Sequence, residues 1–426
     1  MKAEPVHADL NHDVEPGQLT YCQVCNSKEL ELVIDLGHQP LCDSLLRDDQ
    51  LMEQEVTYPL RLMRCLVCSL AQLDYVVPGE LVFHRNYPYR AGITKEVVDH
   101  HEDSAAATIE KYGLNSESLV VDIGSNDGTL LSAFKRRGVR VLGIEPTNIA
   151  DIANANGIES IKSPFTEALS REIARDYRQA SLITATNVFA HMATLGEVIR
   201  GIHNLLSDDG VFMSETHYLP DIIKGTQYDT IYHEHIRSYS LKSLVYLFDA
   251  NGFTLIDATR VERYAGTLRV FAAKGKGLPI SNSVTRLLAE EESFGLYGPD
   301  VYEAFRTRSY RAKNDLLKLA LDISARGQRL VGNSCPGRSS TLLNFTGISK
   351  DLMPYIAEQP TSLKLGLHLP GKHIPVVNNE ILFREQPDYV VLLAWHYAEP
   401  IAKLLRERGL KSKLIVPLPE LKVIEN

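Results

Sequence analysis

Short apolar runs alternate with longer amphipathic stretches through the middle of the chain. "SLVVDIG", "VRVLGIE", "ASLITAT" and "VFMSETHY" have the length and composition of buried strands. Stretches with helical spacing separate them, of which "LGEVIRGIHNLLSDDG" is an example. Strands that alternate with helices are typical of a parallel, doubly wound sheet. The pattern therefore predicts an α/β, Rossmann-like unit, to which residues 252–275 add a hairpin at the far edge.

The flanking regions follow other patterns. Before the central unit, two strand-like runs surround paired Cys-x-x-Cys turns; after it, a long helical stretch at 293–327 precedes a second α/β alternation. We expect a flexible leader at 1–20, a small metal-binding unit at 21–85, the doubly wound unit at 86–280 and a C-terminal α/β unit at 281–426. A chain of 426 residues has room for this many units.

The composition and charge of the chain argue against nucleic-acid-binding, membrane-spanning and secreted proteins. The formal net charge is −9, with 45 basic and 54 acidic residues, which argues against a dedicated nucleic-acid partner. No apolar run reaches the ~18 residues of a membrane span, and the polar N-terminus does not resemble a secretory signal. We therefore expect a cytoplasmic protein with no membrane partner, and a monomer.

Four of the six cysteines form two matched pairs. Cys22 and Cys25 flank one turn, and Cys65 and Cys68 flank another. Four thiolates can close a tetrahedral zinc site, and such a closed site is structural because no position remains for water or substrate. A redox pair is the competing interpretation, but it does not explain the second turn. Cys42 looks like a small buried residue rather than a further ligand.

The turn "DIGSNDGTL" after the first strand of the doubly wound unit is a candidate ligand site. Glycines allow close approach of a ligand to the backbone, and the following helix offers free N–H groups. The sequence lacks the G-x-G-x-x-G fingerprint of dinucleotide sites. Glu145 ends the second strand, where a carboxylate can bind ribose hydroxyls. Together these features predict S-adenosylmethionine as the ligand, and the candidate residues are Asp122, Gly124, Ser125, Asn126, Gly128, Glu145 and Asn187.

The tetrad "YHEH" at 232–235 is the second candidate site. Its histidines are two residues apart, so it does not match the His-Glu-x-x-His pattern of zinc proteases. A set of polar interface residues is one interpretation. Proton transfer is the other, since a histidine suits a general base at neutral pH and a tyrosine can donate to a developing oxyanion.

At this point the chain resembles the S-adenosylmethionine-dependent sugar C-methyltransferases that act on nucleotide-linked 4-keto deoxysugars. The resemblance covers nearly the whole chain after residue 20 and follows the order of "CQVC", "CLVC", "YPYRAG", "DIGSNDGTLL", "NVFAHM", "YDTIYHEHIRSYS", "GTLRVF", "TLLNFTGI", "LPGKHIP" and "PDYVVLLAWHYA". It implies a zinc unit, a methyl-donor unit and a C-terminal unit that helps to hold the sugar nucleotide.

The resemblance also implies active-site residues. His235 corresponds to the base, and Tyr232, Glu234 and His191 to further active-site residues. Tyr87 is the first choice and Tyr89 the second for a tyrosine that faces the site. His233 is expected to be structural. The implied reaction is methylation of carbon 3 of a 4-keto-6-deoxysugar after enolisation, most simply on a thymidine diphosphate, with guanosine as an alternative.

One segment departs from the family pattern. The family has a Gly-aromatic-Gly-Ala-Pro turn where this chain reads "GNSCPGRSS" at 332–340. Two other functions are compatible with the sequence: a zinc-containing methyltransferase that acts on RNA or protein, and a sugar-nucleotide binding protein without activity. The acidic balance argues against the first, and the intact glycine turn and "YHEH" argue against the second.

Overall fold

The computed structural model describes residues 12–83, 90–262 and 265–425. Within them lie three main sheets, one for each of the expected units, with helices packed around the second and third. The expected fold class, α/β with a doubly wound central unit, is confirmed. In the described part of the chain, no helix has the length and apolarity to cross a membrane.

The N-terminal unit is a four-stranded antiparallel sheet with short connections. Its strands in spatial order are Arg237–Ser238, Ala71–Leu73, Tyr58–Cys65 and Leu30–Gln39. A separate ladder pairs Gly17–Gln18 with Tyr75–Val76, and single helical turns span Asp48–Gln50 and Gly79–Val82. The strand Arg237–Ser238 comes from the sequence that follows "YHEH", so the small unit is completed by a distant segment.

The central unit is a seven-stranded sheet. Its strands in spatial order are Phe253–Val261, Thr267–Lys274, Leu206–His217, Ala180–Thr186, Leu119–Ile123, Arg140–Ile144 and Ser160–Ile161. The last five are parallel, and the first two form the expected antiparallel hairpin at one edge. The helical segments are Ala91–Ile93, Lys95–Tyr112, Thr129–Arg136, Ile149–Ala155, Glu167–Asp176, Leu195–Leu205, Leu219–Lys224, Tyr228–Thr230 and Leu241–Ala250.

The C-terminal unit is a six-stranded sheet whose strands in spatial order are Val376–Asn378, Ile356–Glu358, Leu330–Asn333, Tyr389–Leu392, Lys413–Val416 and Lys422–Ile424. Only the last strand is antiparallel to its neighbour. The helical segments are Asn282–Ser293, Asp300–Ala325, Arg338–Thr346, Glu380–Glu385, Trp395–Tyr397 and Ala398–Glu407. The long helical stretch expected from residue 293 therefore begins only at Asp300, because Gly295 is left-handed (φ 79°) and Pro299 precedes the helix.

The three units share their hydrophobic cores. One core joins the cysteine turns to the central unit, with Val24 and Leu70 packed in the same cluster as Phe189. A second joins Leu60 of the N-terminal sheet to Phe305 of the C-terminal unit. Burial of apolar surface across these boundaries holds the units together, so side chains from all three can meet at one site.

Residues 12–20, which the sequence analysis assigns to a leader, make ordered contacts with the central unit. His12 is buried, and its Nδ1 lies 3.1 Å from the carbonyl oxygen of Gln23. The Asp13 carboxylate accepts a hydrogen bond from the backbone N–H of Glu197, in the first turn of the helix Leu195–Leu205. The Val14 N–H donates to the carbonyl oxygen of Ala193 at 3.0 Å. This segment is thereby tied to the loop that contains His191.

Candidate functional site: a donor turn and a buried histidine cluster

The four paired cysteines converge on one point. The Sγ atoms of Cys22 and Cys68 lie 3.4 Å apart, those of Cys25 and Cys65 lie 3.5 Å apart, and all four fall within 4.8 Å of one another. Sulfurs around a tetrahedral zinc ion, with Zn–S bonds of about 2.3 Å, are separated by roughly 3.8 Å. The cluster therefore fits a closed, structural zinc site.

The two turns that present these thiols have the same backbone design. The residue after each pair, Asn26 or Ser69, has a left-handed backbone (φ 57° and 62°). Its N–H donates to the carbonyl oxygen of the first cysteine of the pair, at 2.9 Å for Asn26 and 3.1 Å for Ser69. The Ser69 carbonyl oxygen also accepts a hydrogen bond from the Ser240 hydroxyl at 3.0 Å. The second turn thus contacts the segment that follows the tetrad.

The candidate donor turn follows the strand Leu119–Ile123 and leads directly into the helix Thr129–Arg136. Gly124, Asn126 and Gly128 all have left-handed backbones, with φ of 71°, 51° and 78°. A Cβ added to Gly124 would lie 2.5 Å from Cγ1 of Val188, so side-chain packing as well as backbone conformation requires glycine there.

Two buried carboxyl groups lie behind this turn. One Glu145 oxygen accepts from the N–H of Asn126 at 3.1 Å, and the other accepts from the N–H of Thr147 at 2.9 Å. Asp122 accepts from the Thr184 hydroxyl at 2.6 Å. Burial, together with the nearby Glu145, raises the pKa of Asp122 to about 7. Glu145 is thus fixed in position at the strand end, where it would reach a ribose.

Several buried polar atoms at this edge of the sheet suit a bound ligand. Ser125 Oγ, Thr186 Oγ1 and Asn187 Oδ1 are buried and have no hydrogen-bond partner in the described part of the chain. Buried polar groups normally have partners, so such a group favours a ligand or water. Asn187 also has a left-handed backbone (φ 56°) at the carboxyl end of its strand. The residues therefore fit the polar groups of S-adenosylmethionine.

A connector at residues 90–94, which leads into the helix Lys95–Tyr112, packs against the candidate donor turn. The N–H of Ala91 donates to the Asn126 side-chain oxygen at 2.8 Å, and the N–H of Gly92 donates to Asp127 at 2.9 Å. Tyr87 and Tyr89 lie outside the described residues. The assignment of an active-site tyrosine to this segment therefore stays a prediction.

The tetrad and two other segments bring four rings together. The His235 ring centroid lies 3.9 Å from that of Tyr232, 4.8 Å from that of His191 and 5.0 Å from that of His217. His191 lies in the loop after the strand Ala180–Thr186, and His217 ends the strand Leu206–His217. Both strand ends belong to the edge of the sheet that carries the donor turn, so the rings and the donor site share this edge.

The hydrogen bond of His235 determines which ring nitrogen can act as a base. Its Nδ1 lies 2.6 Å from the backbone carbonyl oxygen of Thr230, which can only accept. The proton is therefore on Nδ1, and Nε2 retains its lone pair. Burial is the main reason that the pKa of His235 is lowered to about 4, and the charge of Arg338 lowers it further. His235 is thus neutral at physiological pH.

The neighbouring histidines are also neutral, and His233 has a different setting. Burial lowers the pKa of His191 and His217 well below the ordinary value, and the proximity of His235 adds to the effect. His233 Nε2 lies 3.3 Å from the carbonyl oxygen of Pro59, and its ring meets Tyr58 edge-on. These contacts are with the N-terminal sheet, in keeping with the structural role expected for His233.

Glu234 faces a loop of the N-terminal unit. The Cys42 thiol donates to its Oε1 at 3.4 Å, and burial followed by the charge of Glu234 raises the pKa of that thiol. Asp43 lies in the same buried group and binds the Lys364 ammonium at 2.6 Å. Cys42 is a buried residue outside the zinc cluster, as expected. Its contact with Glu234 was not expected.

The divergent turn at 332–340 also approaches the tetrad. A Cβ on Gly337 would lie 3.2 Å from the Asp43 carboxylate, which shows how closely the turn packs. Arg338 is buried, stacks on Trp395 with its guanidinium carbon 5.4 Å from the ring centroid, and donates to His396 Nδ1 at 3.3 Å. The turn thus contributes a cation to this region.

Sequence reasoning missed three of these residues. His217 lies near the end of the predicted strand "VFMSETHY", and Arg338 lies in the turn that departs from the family pattern, so the sequence offered a signal for each. Cys42 gave no local signal, because only the tertiary structure brings it to Glu234.

Comparisons with known proteins follow the same three-part division. Family models match residues 22–83 (a zinc-binding domain), 98–258 (a methyltransferase domain) and 263–419 (a C-methyltransferase C-terminal domain). C-methyltransferase NovU of Streptomyces niveus is 34% identical over 408 residues, which cover 95% of this chain and 96% of that protein.

Solved structures of methyltransferases match about half of the chain or less. The 1,6-didemethyltoxoflavin-N1-methyltransferase of Burkholderia thailandensis, with bound S-adenosylhomocysteine, is 19% identical, with a TM-score of 0.36 over 49% of this chain and 96% of that one. Magnesium protoporphyrin IX methyltransferase of Synechocystis PCC 6803 is 14% identical, with a TM-score of 0.33 over 42% of this chain and 85% of that one.

Proposed function

Because the chain belongs to the family of C-methyltransferases that combine a zinc-binding, a methyltransferase and a C-terminal domain, we propose that it methylates carbon 3 of a nucleotide-linked 4-keto-6-deoxysugar. S-adenosylmethionine is the methyl donor. A thymidine diphosphate sugar is the substrate that the family resemblance favours. The zinc-binding domain has a structural role in this proposal.

The observation that carries the proposal is the protonation of His235. A carbon atom becomes a nucleophile only when a proton is removed beside a carbonyl group, so C-methylation of a keto sugar requires a base. His235 offers an unprotonated Nε2 in a buried site, and its Nδ1 proton is held by Thr230. A neutral imidazole with a free lone pair can act as a general base.

The chemistry divides between the donor and the side chains of this protein. S-adenosylmethionine, when bound, supplies an electrophilic methyl group on a sulfonium. His235 Nε2 takes the proton from sugar carbon 3, and the electron pair of that C–H bond becomes the enolate with its charge on the oxygen at carbon 4. The Tyr232 hydroxyl and His191 are the groups assigned to stabilise that oxygen, since donors aimed at a developing charge lower the barrier.

Burial of the histidine cluster supports the same assignment. His235 is buried, and electrostatic interactions with a developing enolate are stronger in a buried site than in water. After proton transfer, the imidazolium of His235 and the enolate form an ion pair inside the site. The low pKa of His235 then favours release of the proton once the enolate has been consumed.

A panel assay tests this function. The protein would be incubated with S-adenosylmethionine and thymidine- or guanosine-linked 4-keto-6-deoxysugars. The masses of the products would then be measured by mass spectrometry. We expect at least one sugar nucleotide to become one methyl group heavier, with release of an equal amount of S-adenosylhomocysteine. If the donor binds but no sugar gains mass, the proposed substrate class is wrong.

A further inference from the structure

The C-terminal unit contacts the short helical turn Tyr228–Thr230, which lies just before the tetrad in sequence. Asp229 in this turn is fully buried, and its Oδ2 accepts a hydrogen bond of 2.7 Å from Nε1 of Trp395. Nε of Arg338 lies 3.8 Å from the same oxygen. The Thr341 hydroxyl donates to the carbonyl oxygen of Ile231 at 3.3 Å. Residues on both sides of Thr230 are thus held from the C-terminal unit.

Thr230 is also the residue that orients His235. Its carbonyl oxygen accepts a hydrogen bond of 2.6 Å from the Nδ1–H of His235. This bond determines which ring nitrogen keeps its lone pair and can act as a base. The Thr230 hydroxyl donates to the carbonyl oxygen of Gln227 at 3.0 Å, so the turn is also closed on itself. Displacement of Asp229 would therefore be transmitted to the carbonyl that fixes His235.

From these contacts we infer that Trp395 and Asp229, with Arg338, are positioning residues for the proposed base His235, an inference that rests on the proposed function. They act through the Thr230 carbonyl. Without them the turn can relax, and His235 loses the partner that keeps its proton on Nδ1.

The contact of Asp229 with Trp395 and Arg338 is polar, which indicates a role beyond filling space in the core. A buried carboxylate is costly to desolvate, and an apolar side chain would fill the same space without that cost. Oδ2 of Asp229 accepts from one N–H donor and lies near one cation, both from the other unit, whereas Oδ1 is buried with no partner among the described residues. Such an arrangement specifies one orientation of the turn relative to the C-terminal unit.

Two variants and one control isolate the effect. Trp395→Phe keeps an aromatic ring but removes the N–H donor to Asp229. Asp229→Asn keeps an oxygen that can accept from Trp395, so it should retain most of the positioning. Tyr355→Phe is the matched control: it also removes a hydrogen bond from a buried aromatic residue of the C-terminal unit to a carboxylate, that of Glu385 (3.2 Å), away from the turn.

The first readout needs no substrate. In protein labelled with ¹⁵N-histidine, with His235 assigned through His235→Gln, the ring nitrogen shifts report which nitrogen is protonated. We expect Nδ1–H in the wild type, Asp229→Asn and Tyr355→Phe, and a mixture of tautomers in Trp395→Phe. An unchanged tautomer in Trp395→Phe would overturn the inference, whether or not any sugar is methylated.

The second readout is the rate of substrate proton exchange in heavy water. A displacement of about 1 Å at a catalytic group can cost ~100-fold in rate, so we expect Trp395→Phe to lower kcat for exchange by at least tenfold. KM and the Kd for S-adenosylmethionine should change by less than about threefold. An equal loss in Tyr355→Phe, or a loss confined to KM, would contradict a positioning role.

Discussion

At the scale of single residues, two histidines that are two positions apart in sequence have different environments. His233 points to Pro59 and Tyr58 of the N-terminal sheet, while His235 packs on Tyr232 and donates to Thr230. The chain between them makes a turn, closed by a bond of 2.8 Å from the His235 N–H to the Tyr232 carbonyl oxygen. The different roles expected for His233 and His235 therefore follow from the groups that each ring contacts, since the residue type is the same.

Acid should destabilise the fold through both histidines. Burial is the main cause that lowers the pKa of His233 and of His235 to about 4, against about 6.5 in the unfolded chain. Between these values the unfolded state binds more protons, so their stabilisation is complete above pH 6.5 and is lost as pH falls toward 4. Each residue can contribute about 3 kcal/mol.

Urea unfolding between pH 7.5 and 4.5 measures this effect. We expect the free energy of unfolding to fall as pH is lowered, and His233→Gln to reduce that dependence without removing it. A free energy of unfolding that does not change across this range would contradict the neutral, buried state of the two rings.

The thiol of Cys42 should matter through Glu234. Removal of a hydrogen bond to a buried charged group costs about 1–3 kcal/mol, or about fivefold to ~100-fold in an equilibrium or rate. We expect Cys42→Ala to lower kcat/KM for methylation by about tenfold, and Cys42→Ser, which keeps a donor, to lower it by less than about threefold. Equal effects of the two substitutions would show that only the volume of the thiol matters.

The residues that could be predicted from the sequence stand together in one short stretch, whereas those that could not come from separate segments. Tyr232, Glu234 and His235 are consecutive or nearly so, and their chemistry stands out in a short stretch. His217, Cys42 and Arg338 reach the same region from separate segments, and no local pattern indicates such contacts. Family resemblance supplied His191, which the tetrad alone would not have identified.

At the scale of elements, the donor turn combines backbone and packing requirements. Its glycines occur at left-handed positions, and the helix Thr129–Arg136 begins at once after Gly128. These features follow from the sequence, because glycine adopts left-handed backbone conformations at no steric cost and is therefore favoured in such a turn. The hydrogen bonds from Ala91 and Gly92 to the turn could not be predicted from the sequence, because they depend on where the connector lies in the folded chain.

Gly124→Ala should weaken binding of S-adenosylmethionine. The added Cβ would meet Val188 at 2.5 Å and would also require a left-handed alanine, so the turn must shift. We expect calorimetry to show a Kd raised at least tenfold. Gly113→Ala is the control, because it imposes a similar left-handed strain (φ 61°) where no atom lies within 4 Å. If both variants bind equally well, the turn is not the donor site.

Element boundaries were predictable where local signals were strong. The hairpin formed by Phe253–Val261 and Thr267–Lys274 matches the expected range 252–275 closely. The two-residue strand Arg237–Ser238 could not be predicted, because its existence depends on pairing with Ala71 and Gln72, more than 160 residues earlier in the chain. Short strands of this kind are created by tertiary contact rather than by their own sequence.

At the scale of the whole molecule, the zinc-binding domain packs against the segments that form the candidate site. Its sheet includes Arg237–Ser238, which begins two residues after His235, and the buried Arg237 donates to the carbonyl oxygen of Met192 near His191. The cysteine turns also share a core with the central unit. Loss of the metal should therefore affect more than the N-terminal sheet.

Cys25→Ser tests that dependence. We expect the metal content, measured by mass spectrometry of the digested protein, to fall from one zinc ion per chain to far below one, with a lower Tm and slower methylation. Cys335→Ser replaces a buried cysteine outside the cluster and should retain its zinc. Full zinc occupancy in Cys25→Ser would contradict the four-thiolate site.

The central claim is that His235 removes the proton from the carbon that is methylated. The most direct measurement is deuterium uptake at carbon 3 of the 4-keto sugar in heavy water, followed by mass spectrometry with wild-type protein and with His235→Ala and His233→Gln. The account predicts exchange with the wild type and His233→Gln, and a loss of at least ~100-fold with His235→Ala. Exchange at the wild-type rate in His235→Ala would contradict it.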